Sequence, residues 1–224
     1  MSAILFLILA GVIGYVCGSF PNGYLLVRLI KGEDIRTIGS GRSGGTNSMR
    51  AAGLPVGFTV AILDVVKGAV AIWLTRWVLG LVGVDTELLP WFEIMAGILA
   101  VIGHNWSMFL GFKGGAGTGP NVGWATAIWW PFFPIALIVM PGMLILSGMA
   151  SLSSIVLGAL IPVGFAIMYF TGPIVEPIYI LGGVITLAIV LWALRPNIKR
   201  MMAGEERLVG PRARRKQRQQ EQSS

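Results

Sequence analysis

The sequence predicts an all-α polytopic membrane protein with about seven transmembrane segments, some short or broken, joined by glycine-rich cytoplasmic loops. Hydrophobic residues make up 55% of the 224-residue chain, charged residues only 12%, and the mean hydropathy is +0.77. Soluble domains are about 45–50% apolar and about 25% charged. The apolar residues also fall in long runs, and runs of roughly 18 or more are typical of transmembrane helices. These observations exclude an ordinary soluble domain.

The first apolar segment covers residues 3–30 and is interrupted by the sequence GSFPNG, from Gly18 to Gly23. Residues 3–16 resemble the core of a signal peptide, but no positive charge precedes them and no convincing cleavage site follows. Since more spans come later, we interpret this segment as the first membrane helix. Proline and glycine within it predict a kink or partial unwinding, which a membrane tolerates where neighbouring protein satisfies the freed backbone groups.

The remaining apolar runs predict the later spans. Helices are expected at about 55–79, 90–112, 152–170 and 178–194. Residues 122–147 are interrupted by WWPFFP and by Pro141-Gly142, so we predict two short helices that form a hairpin and do not span comfortably. Residues 1–195 then form the integral membrane domain. Residues 196–224 form a basic tail that is expected to be cytoplasmic and disordered.

The distribution of basic residues bears on partners and topology. The net charge is +7 and the pI is near 10.1, yet nine of the 17 basic residues lie at or beyond Arg195. A basic tail directly after a helix indicates a cytoplasmic end near anionic lipid rather than a nucleic-acid partner. The links at 80–89 and 171–177 carry three acidic residues and no basic ones, as expected outside. Following the chain from a cytoplasmic loop 31–50, the spans place 103–121 in the cytoplasm too, so the two glycine-rich loops can share one composite site. A cytoplasmic tail then requires 122–147 to cross twice, which gives seven segments and an external N-terminus.

The first glycine-rich patch reads IGSGRSGGTNSMR and suits a bound anion. Its glycines permit positive φ and convergent backbone N–H groups. A helix capped by Thr46 or Asn47 would present its N-terminus to a phosphate, and Arg50 could add a bidentate contact. The alternative is a flexible connecting loop capped by Asn47. The glycines are Gly39, Gly41, Gly44 and Gly45, and Ser40 and Ser43 add hydroxyl donors.

The second patch, GHNWSMFLGFKGGAGTGPN, holds the only histidine, His104. No carboxylate follows His104 within a turn or two, so its spacing favours a structural, hydrogen-bonded role. Lys113 with the glycines after it, including Gly114 and Gly115, resembles a second backbone nest beside a cation. The alternative is a glycine hinge with a snorkelling lysine.

The other polar residues of the spans have simpler interpretations. Asp64 and Lys67 lie three apart and are expected to pair on one helix face as a structural ion pair. Arg195 and Asn197 could reach the site or anchor the last helix. One cysteine, Cys17, and one histidine exclude a multi-cysteine or histidine-cluster metal site, so neither a metal nor a cofactor is expected.

Taken in order, several motifs resemble the bacterial acyl-phosphate-dependent glycerol-3-phosphate acyltransferases over nearly the whole chain. They are G-S-x-P-x-G at 18–23, K-G-x-D-I-R at 31–36, G-S-G at 39–41, T-N-x-x-R at 46–50, L-D-x-x-K-G at 63–68, G-H at 103–104, F-K-G-G at 112–115, A-S-L-x-S at 150–154 and N-I-x-R-x-x-x-G-x-E at 197–206. The chain departs from the family pattern at Arg42 (usually asparagine), Gly45 (alanine), Ala116 (lysine), Ser107 (proline) and Leu194 (often histidine). We hypothesise that Arg42 restores the charge missing at position 116.

The resemblance implies a seven-helix enzyme of the cell membrane whose cytoplasmic-side site transfers an acyl group from acyl phosphate to glycerol 3-phosphate, giving lysophosphatidic acid and phosphate. Membrane lipids are further partners, and other phospholipid-synthesis enzymes are candidate ones. The expected catalytic residues are Ser40, Arg50 and Lys113. The expected substrate-binding residues are Arg36, Gly39, Gly41, Arg42, Thr46, Asn47, His104, Gly114, Gly115, Arg195 and Asn197. Two alternatives stay open: a divergent or inactive paralogue that binds another phosphorylated acceptor or lipid phosphate, and a transporter.

Overall fold

The computed structural model describes residues 3–172, 176–210, 212 and 213, and within them it is all-helical apart from one isolated β-bridge. Those residues form α-helices α1 (Ala3–Ser19), α2 (Asn22–Lys31), α3 (Gly45–Ala52), α4 (Leu54–Leu81), α5 (Leu89–Asn105), α6 (Thr118–Ile128), α7 (Phe132–Ser147), α8 (Ala150–Thr171) and α9 (Ile178–Met202). Short 3₁₀ turns at Ile35–Thr37, Thr86–Leu88 and Met108–Leu110 lie in the links.

In the described part of the chain, five stretches are long and apolar enough to cross a membrane. They are α1 with α2, the stretch Thr86–Leu110 that contains α5, and each of α4, α8 and α9. The predicted hairpin of two short helices is also present and is formed by α6 and α7. At a rise of about 1.5 Å per residue, α6 measures only about 16 Å, roughly half of a bilayer's hydrocarbon core. The all-α polytopic prediction, with some segments short or broken, is confirmed.

The predicted break in the first span separates α1 from α2 at Phe20 and Pro21. The carbonyls left unpaired there are bound by side chains of other helices and links. Ser107 Oγ donates to the Ser19 carbonyl at 2.5 Å, and Lys67 Nζ donates to the Phe20 carbonyl at 2.8 Å. Because the freed backbone groups are satisfied by protein, the break is compatible with burial in a bilayer.

Glycines allow two pairs of helices to pack backbone against backbone. A Cβ atom added to Gly14 or Gly18 of α1 would overlap the backbone of Ala96 or Ala100 in α5. Gly123 of α6 meets the backbone of α4 in the same way. Small residues at such contacts are a general means of tight helix association in membranes, where the hydrophobic effect does not favour it.

A buried polar cluster links four helices at the end of the bundle opposite the glycine-rich loops. Arg76 of α4 pairs with Glu93 of α5, and Tyr179 of α9 donates to the same carboxylate at 2.5 Å. Arg76 Nη1 also donates to the Ala127 carbonyl near the end of α6, at 3.1 Å. Each charge therefore has a partner inside the protein, as the membrane interior requires.

Helix α9 continues beyond the predicted end of the last span at residue 194 and ends at Met202. Pro196 lacks the N–H that would bond to the Trp192 carbonyl. Arg195 takes its place, since its Nη1 donates to that carbonyl at 3.2 Å while its guanidinium stacks on the Trp192 ring. The first residues assigned to the tail are thus helical. Residues 211 and 214–224 of the predicted disordered tail lie outside the described part of the chain.

Candidate active site

A cavity of about 340 Å³ opens between α3, α4, α6, α7 and the adjoining ends of α8 and α9. Its two halves differ in chemistry. One half is lined by polar side chains from the first glycine-rich loop, α3, α8 and the segment after α9. The other half is lined by apolar side chains of α4 and α7, namely Leu54, Phe58, Ile62, Phe133, Ala136, Leu137, Met140 and Leu144. The lining of the cavity is therefore amphipathic.

The loop before α3 is shaped by two glycines and one asparagine. Gly39 and Gly41 have φ of +54° and +70°, and this conformation favours glycine. Asn47 Oδ1 accepts from the Ser40 N–H at 3.0 Å, while its Nδ2 donates to loop carbonyls, including that of Ile38 at 2.9 Å. The prediction that Thr46 or Asn47 caps the helix is wrong, because α3 begins at Gly45 with Gly44 as its cap. Asn47 instead fixes the loop that presents Ser40.

Two arginines contribute positive charge to the polar half of the cavity. Arg50 lies in the last turn of α3 and, among the described residues, forms no ion pair. Arg42 Nη2 donates to the Ala193 carbonyl of α9 at 2.6 Å, next to the proline-disturbed turn. Burial lowers the pKa of both guanidinium groups, and nearby cations, including Arg207 in each case, lower it further. Both stay charged, because the ordinary pKa of arginine lies far above neutral pH.

Four positions that depart from the family pattern line the cavity, and one of them, Gly45, begins α3. The other three are Arg42, Ala116 and Leu194, and the Arg42 guanidinium bonds to the residue that precedes Leu194. This arrangement is compatible with the hypothesis that Arg42 supplies the charge missing at position 116. Its role in activity stays a prediction.

The two glycine-rich patches meet, as the sequence predicted for a composite site. The Ser43 N–H donates to the Gly114 carbonyl at 3.3 Å. Gly115 packs on the buried His104: its N–H donates to the His104 carbonyl at 2.9 Å, and an added Cβ would overlap the imidazole. Lys113 is exposed and outside the described cavity lining.

Asp64 of α4 and His104 of α5 also line the cavity. Asp64 Oδ1 lies 2.9 Å from Lys67 Nζ, accepts from Asn22 Nδ2 at 3.1 Å and lies 3.7 Å from His104 Nδ1. The predicted Asp64–Lys67 pair is confirmed. No carboxylate follows His104 closely in the sequence, and the carboxylate that lies near it in the structure is that of Asp64, which comes from another helix.

The structure gathers about half of the predicted site residues at the cavity. Ser40, Arg42, Thr46, Asn47, Arg50, His104 and Asn197 line it. The backbone of Gly39, Gly41, Gly114 and Gly115 shapes the two patches around it. Lys113, Arg195 and Arg36 are not brought to the described lining.

Each of the two displaced arginines has another partner. Arg195 is bound to the Trp192 carbonyl and ring. Arg36 forms an ion pair with Asp34, and its hydrogen bonds to that carboxylate lower the pKa of Asp34 to about 2. The predicted catalytic and binding roles of the site residues stay predictions.

The sequence reasoning missed several polar residues of the lining, chiefly Glu206 and Arg207 after α9 and Ser151 in α8. Glu206 Oε1 accepts from Asn197 Nδ2 at 2.7 Å and from Ser151 Oγ at 3.0 Å, while its Oε2 pairs with Arg200 Nε at 3.2 Å. The N-I-x-R-x-x-x-G-x-E motif could have indicated this cluster, because it contains Asn197, Arg200 and Glu206. Within the described residues, no group of three or more His, Cys, Asp or Glu side chains could hold a metal ion.

Comparison with known proteins gives a consistent result. The sequence model of the glycerol-3-phosphate acyltransferase family matches residues 8–204. A glycerol-3-phosphate acyltransferase of Synechococcus sp. (strain CC9902) is 36% identical over 198 residues, covering 88% of this chain and 92% of its own length. Glycerol-3-phosphate acyltransferase 3 of Dehalococcoides mccartyi (strain CBDB1) is 38% identical over 221 residues, covering 93% and 98%.

Solved structures agree with these relatives. The crystal structure of PlsY (YgiH), an integral membrane glycerol 3-phosphate acyltransferase, in its glycerol 3-phosphate form superposes with a TM-score of 0.74 at 28% identity, covering 91% of this chain and 96% of that one. Its lysophosphatidic acid form gives a TM-score of 0.72 at 25% identity. With the family model matched along most of its length, the chain belongs to the glycerol-3-phosphate acyltransferase family.

Proposed function

We propose that the protein transfers a fatty acyl group from acyl phosphate to the 1-hydroxyl of glycerol 3-phosphate, giving lysophosphatidic acid and phosphate. One observation carries the proposal: the cationic, hydroxyl-bearing half of the cavity is continuous with its apolar half. An activated lipid with an anionic head has the same division of polarity. The glycerol 3-phosphate and lysophosphatidic acid forms of PlsY support the choice of acceptor and product.

The polar half suits phosphate groups. The Arg42 and Arg50 guanidinium groups are half-buried there, where a charge-assisted hydrogen bond to a phosphate is stronger than at a fully exposed site. The hydroxyls of Ser40 and Thr46 and the backbone of the glycine-rich loop add donors. Two phosphates must be held, one on each substrate, so more than one cation is required.

The apolar half suits an acyl chain. Helices α4 and α7 contribute mostly aliphatic and aromatic side chains to it, and both helices also carry exposed apolar residues on their outer surfaces. Each methylene buried there contributes about 0.8 kcal/mol of binding free energy. The acyl carbonyl then lies where the two halves meet, close to the loop that presents Ser40.

The reaction needs alignment and charge stabilisation more than a covalent intermediate, because acyl phosphate is already activated. The glycerol 3-phosphate hydroxyl oxygen forms a bond to the carbonyl carbon, the bond from that carbon to the bridging phosphate oxygen breaks, and the hydroxyl proton passes to the departing phosphate. The arginine and hydroxyl donors stabilise the negative charge that develops on the carbonyl and phosphate oxygens.

The proposed setting is a bacterial plasma membrane with the active site and C-terminus on the cytoplasmic side. The basic residues flanking the spans support this orientation. Both glycine-rich patches and the segment after α9 contribute to one end of the bundle, where the cavity's polar half lies. That end would meet soluble glycerol 3-phosphate in the cytoplasm.

The test is a turnover assay in which purified protein is given acyl phosphate and glycerol 3-phosphate. Lysophosphatidic acid and phosphate should be released in equal amounts. An Arg50→Gln variant should lose about 100-fold in kcat/KM, because it removes a half-buried charge-assisted contact worth about 1.5–3 kcal/mol. Lys31→Gln removes a cation that is exposed at the end of α2 and should leave turnover unchanged.

A parallel reaction with acyl-CoA as donor checks the choice of donor. Faster turnover with acyl-CoA would overturn acyl phosphate as the donor while keeping the acceptor. An absence of product from either donor, with phosphate binding retained, would favour the paralogue that only binds lipid phosphate. Undiminished turnover in Arg50→Gln would remove this arginine from the mechanism.

A further inference from the structure

The segment after α9 folds back over the cavity instead of leaving the protein. We call residues 203–210 the strap. Its Leu208 forms an antiparallel bridge with Met149, and the Val209 N–H donates to the Gly148 carbonyl at 2.8 Å. The Val209 side chain is buried. These contacts attach the strap to the turn between α7 and α8.

Glu206 fastens the middle of the strap. Its side chain is only 5% exposed and is bound by Ser151 of α8 and by Asn197 and Arg200 of α9. Burial of a carboxylate costs free energy unless hydrogen-bond and ion-pair partners compensate it. The three partners of Glu206 therefore hold this part of the strap in one position. A tail merely attracted to lipid head groups would leave its glutamate in water, so the strap is a wall of the cavity.

This wall brings a third cation to the polar half. Arg207 lines the cavity at its mouth, and its charge lowers the pKa of both Arg42 and Arg50 after burial does so. Glu206 is already paired with Arg200. Three guanidinium groups thus line one cavity, and the two carboxylates of its described lining, those of Glu206 and Asp64, are already paired with Arg200 and Lys67. Positive charges that lie close together repel one another, and an anion bound between them offsets this repulsion.

We propose that Arg207, held by the strap, binds a substrate phosphate at the cavity mouth together with Arg42 and Arg50. This inference rests on the proposed function for the identity of the substrate, although the site itself requires only a phosphate. The phosphate can belong to glycerol 3-phosphate or to acyl phosphate. Because Arg207 is largely exposed, it is suited to a ligand that enters from water and is then enclosed.

The experiment compares Arg207→Gln, Arg207→Lys and the control Lys199→Gln with the full-length parent protein. Lys199 lies eight residues before Arg207 in the chain, is exposed on α9 and is absent from the described lining, so its variant removes the same charge from the same end of the molecule. Each substrate is varied while the other is saturating. Arg207→Gln should raise the KM of one substrate about tenfold, and the affected substrate identifies the source of the phosphate.

Arg207→Lys should restore most of the affinity that Arg207→Gln loses. In both variants kcat should change by no more than about twofold, because the side chain contacts a phosphate in the ground state and in the transition state alike. Kinetics of Arg207→Gln that match those of Lys199→Gln for both substrates would overturn the inference. So would a loss of kcat with both KM values unchanged.

A second readout does not depend on turnover. Binding of inorganic phosphate should raise the melting temperature of the parent protein and of Lys199→Gln, and should raise it much less in Arg207→Gln. If the parent protein made no product but showed this pattern, the proposed function would fail and the Arg207 site would stand. An equal shift in all three proteins would overturn the Arg207 site even if the acyltransferase assay succeeded.

Discussion

At the scale of single residues, two polar side chains each hold a piece of backbone: Asn47 bonds to the loop before α3, and Arg195 bonds to the Trp192 carbonyl within α9. The sequence predicts that Asn47 caps a helix or binds substrate. It does not cap α3, its amide organises the backbone of the loop before α3, and a contact with substrate stays a prediction. Arg195 is predicted to reach the site or to anchor the last helix, and it repairs the helix turn that Pro196 disturbs. In both cases the chemistry of the residue is the expected one, a donor or acceptor near a polar site. The partners of Asn47 are carbonyls of a folded loop, which spacing along the chain does not reveal. The Arg195–Trp192 contact lies within one helical turn, but it forms only if the helix continues through Pro196.

A glycine substitution tests the contact between the second patch and His104. An alanine at position 115 would place its Cβ within 2.8 Å of imidazole carbons of the buried His104. We expect Gly115→Ala to lose about 1–3 kcal/mol of stability, the usual cost of overpacking, together with most activity. Thermal unfolding in detergent and the turnover assay would measure both.

The matched control is Gly80→Ala near the end of α4, where an added Cβ meets nothing within 4 Å. This change should leave the melting temperature unchanged or slightly higher, because alanine favours a helix over glycine by about 0.5–1 kcal/mol. Equal melting temperatures for the two variants would contradict the close contact between Gly115 and His104.

At the scale of helices, hydropathy predicted the spans well because lipid imposes a minimum apolar length on any helix that crosses it. The interruption at Pro21 was also predictable, since proline cannot donate the backbone bond that a helix requires. The continuation of α9 through Pro196 was not, because it depends on a guanidinium and an indole meeting on one side of the helix. The strap was unpredictable for a similar reason, as its composition is that of an ordinary polar tail.

Helix α7 offers a test of the apolar half of the cavity. Ala136 lines it, so Ala136→Phe should occupy space otherwise taken by the far end of an acyl chain. Displacing about two methylenes costs about 1.6 kcal/mol, which lowers kcat/KM for the longest donors about tenfold and leaves short donors unaffected. A series of acyl phosphates of graded chain length would measure the shift.

Ile138→Phe is the control for this series. Ile138 lies in the same helix, is 73% exposed and is absent from the described lining of the cavity. Its variant should keep the chain-length profile of the parent protein. If Ala136→Phe slowed all donors equally, the acyl chain would not lie along α7.

At the scale of the whole molecule, the two ends of the bundle differ in chemistry. One end holds the cavity's polar half, with arginines, serines and the glycine-rich loops. The other holds the Arg76–Glu93–Tyr179 cluster, whose charges are compensated within the protein. A soluble, doubly charged substrate can be met only by the first end, so the direction in which the chain crosses the membrane decides whether the enzyme can work.

Cysteine labelling would establish that direction. In a Cys17→Ser background, Glu87→Cys places a thiol in the exposed link between α4 and α5, and Lys199→Cys places one at the opposite end. A membrane-impermeant maleimide should label the first in right-side-out vesicles and the second in inside-out vesicles. The reverse pattern would contradict the proposed cytoplasmic site.

The Asp64–Lys67 pair has a consequence for how the protein is made. Its two charges lie three residues apart in one helix, so they neutralise each other as soon as α4 has formed. Asn22, which also binds the Asp64 carboxylate, belongs to a helix synthesised earlier, whereas His104 comes from one synthesised later. Asp64 and Lys67 can therefore enter the bilayer as a compensated pair before the rest of the site exists. Arg76 of the same helix differs, because its partner Glu93 belongs to α5 and is made later.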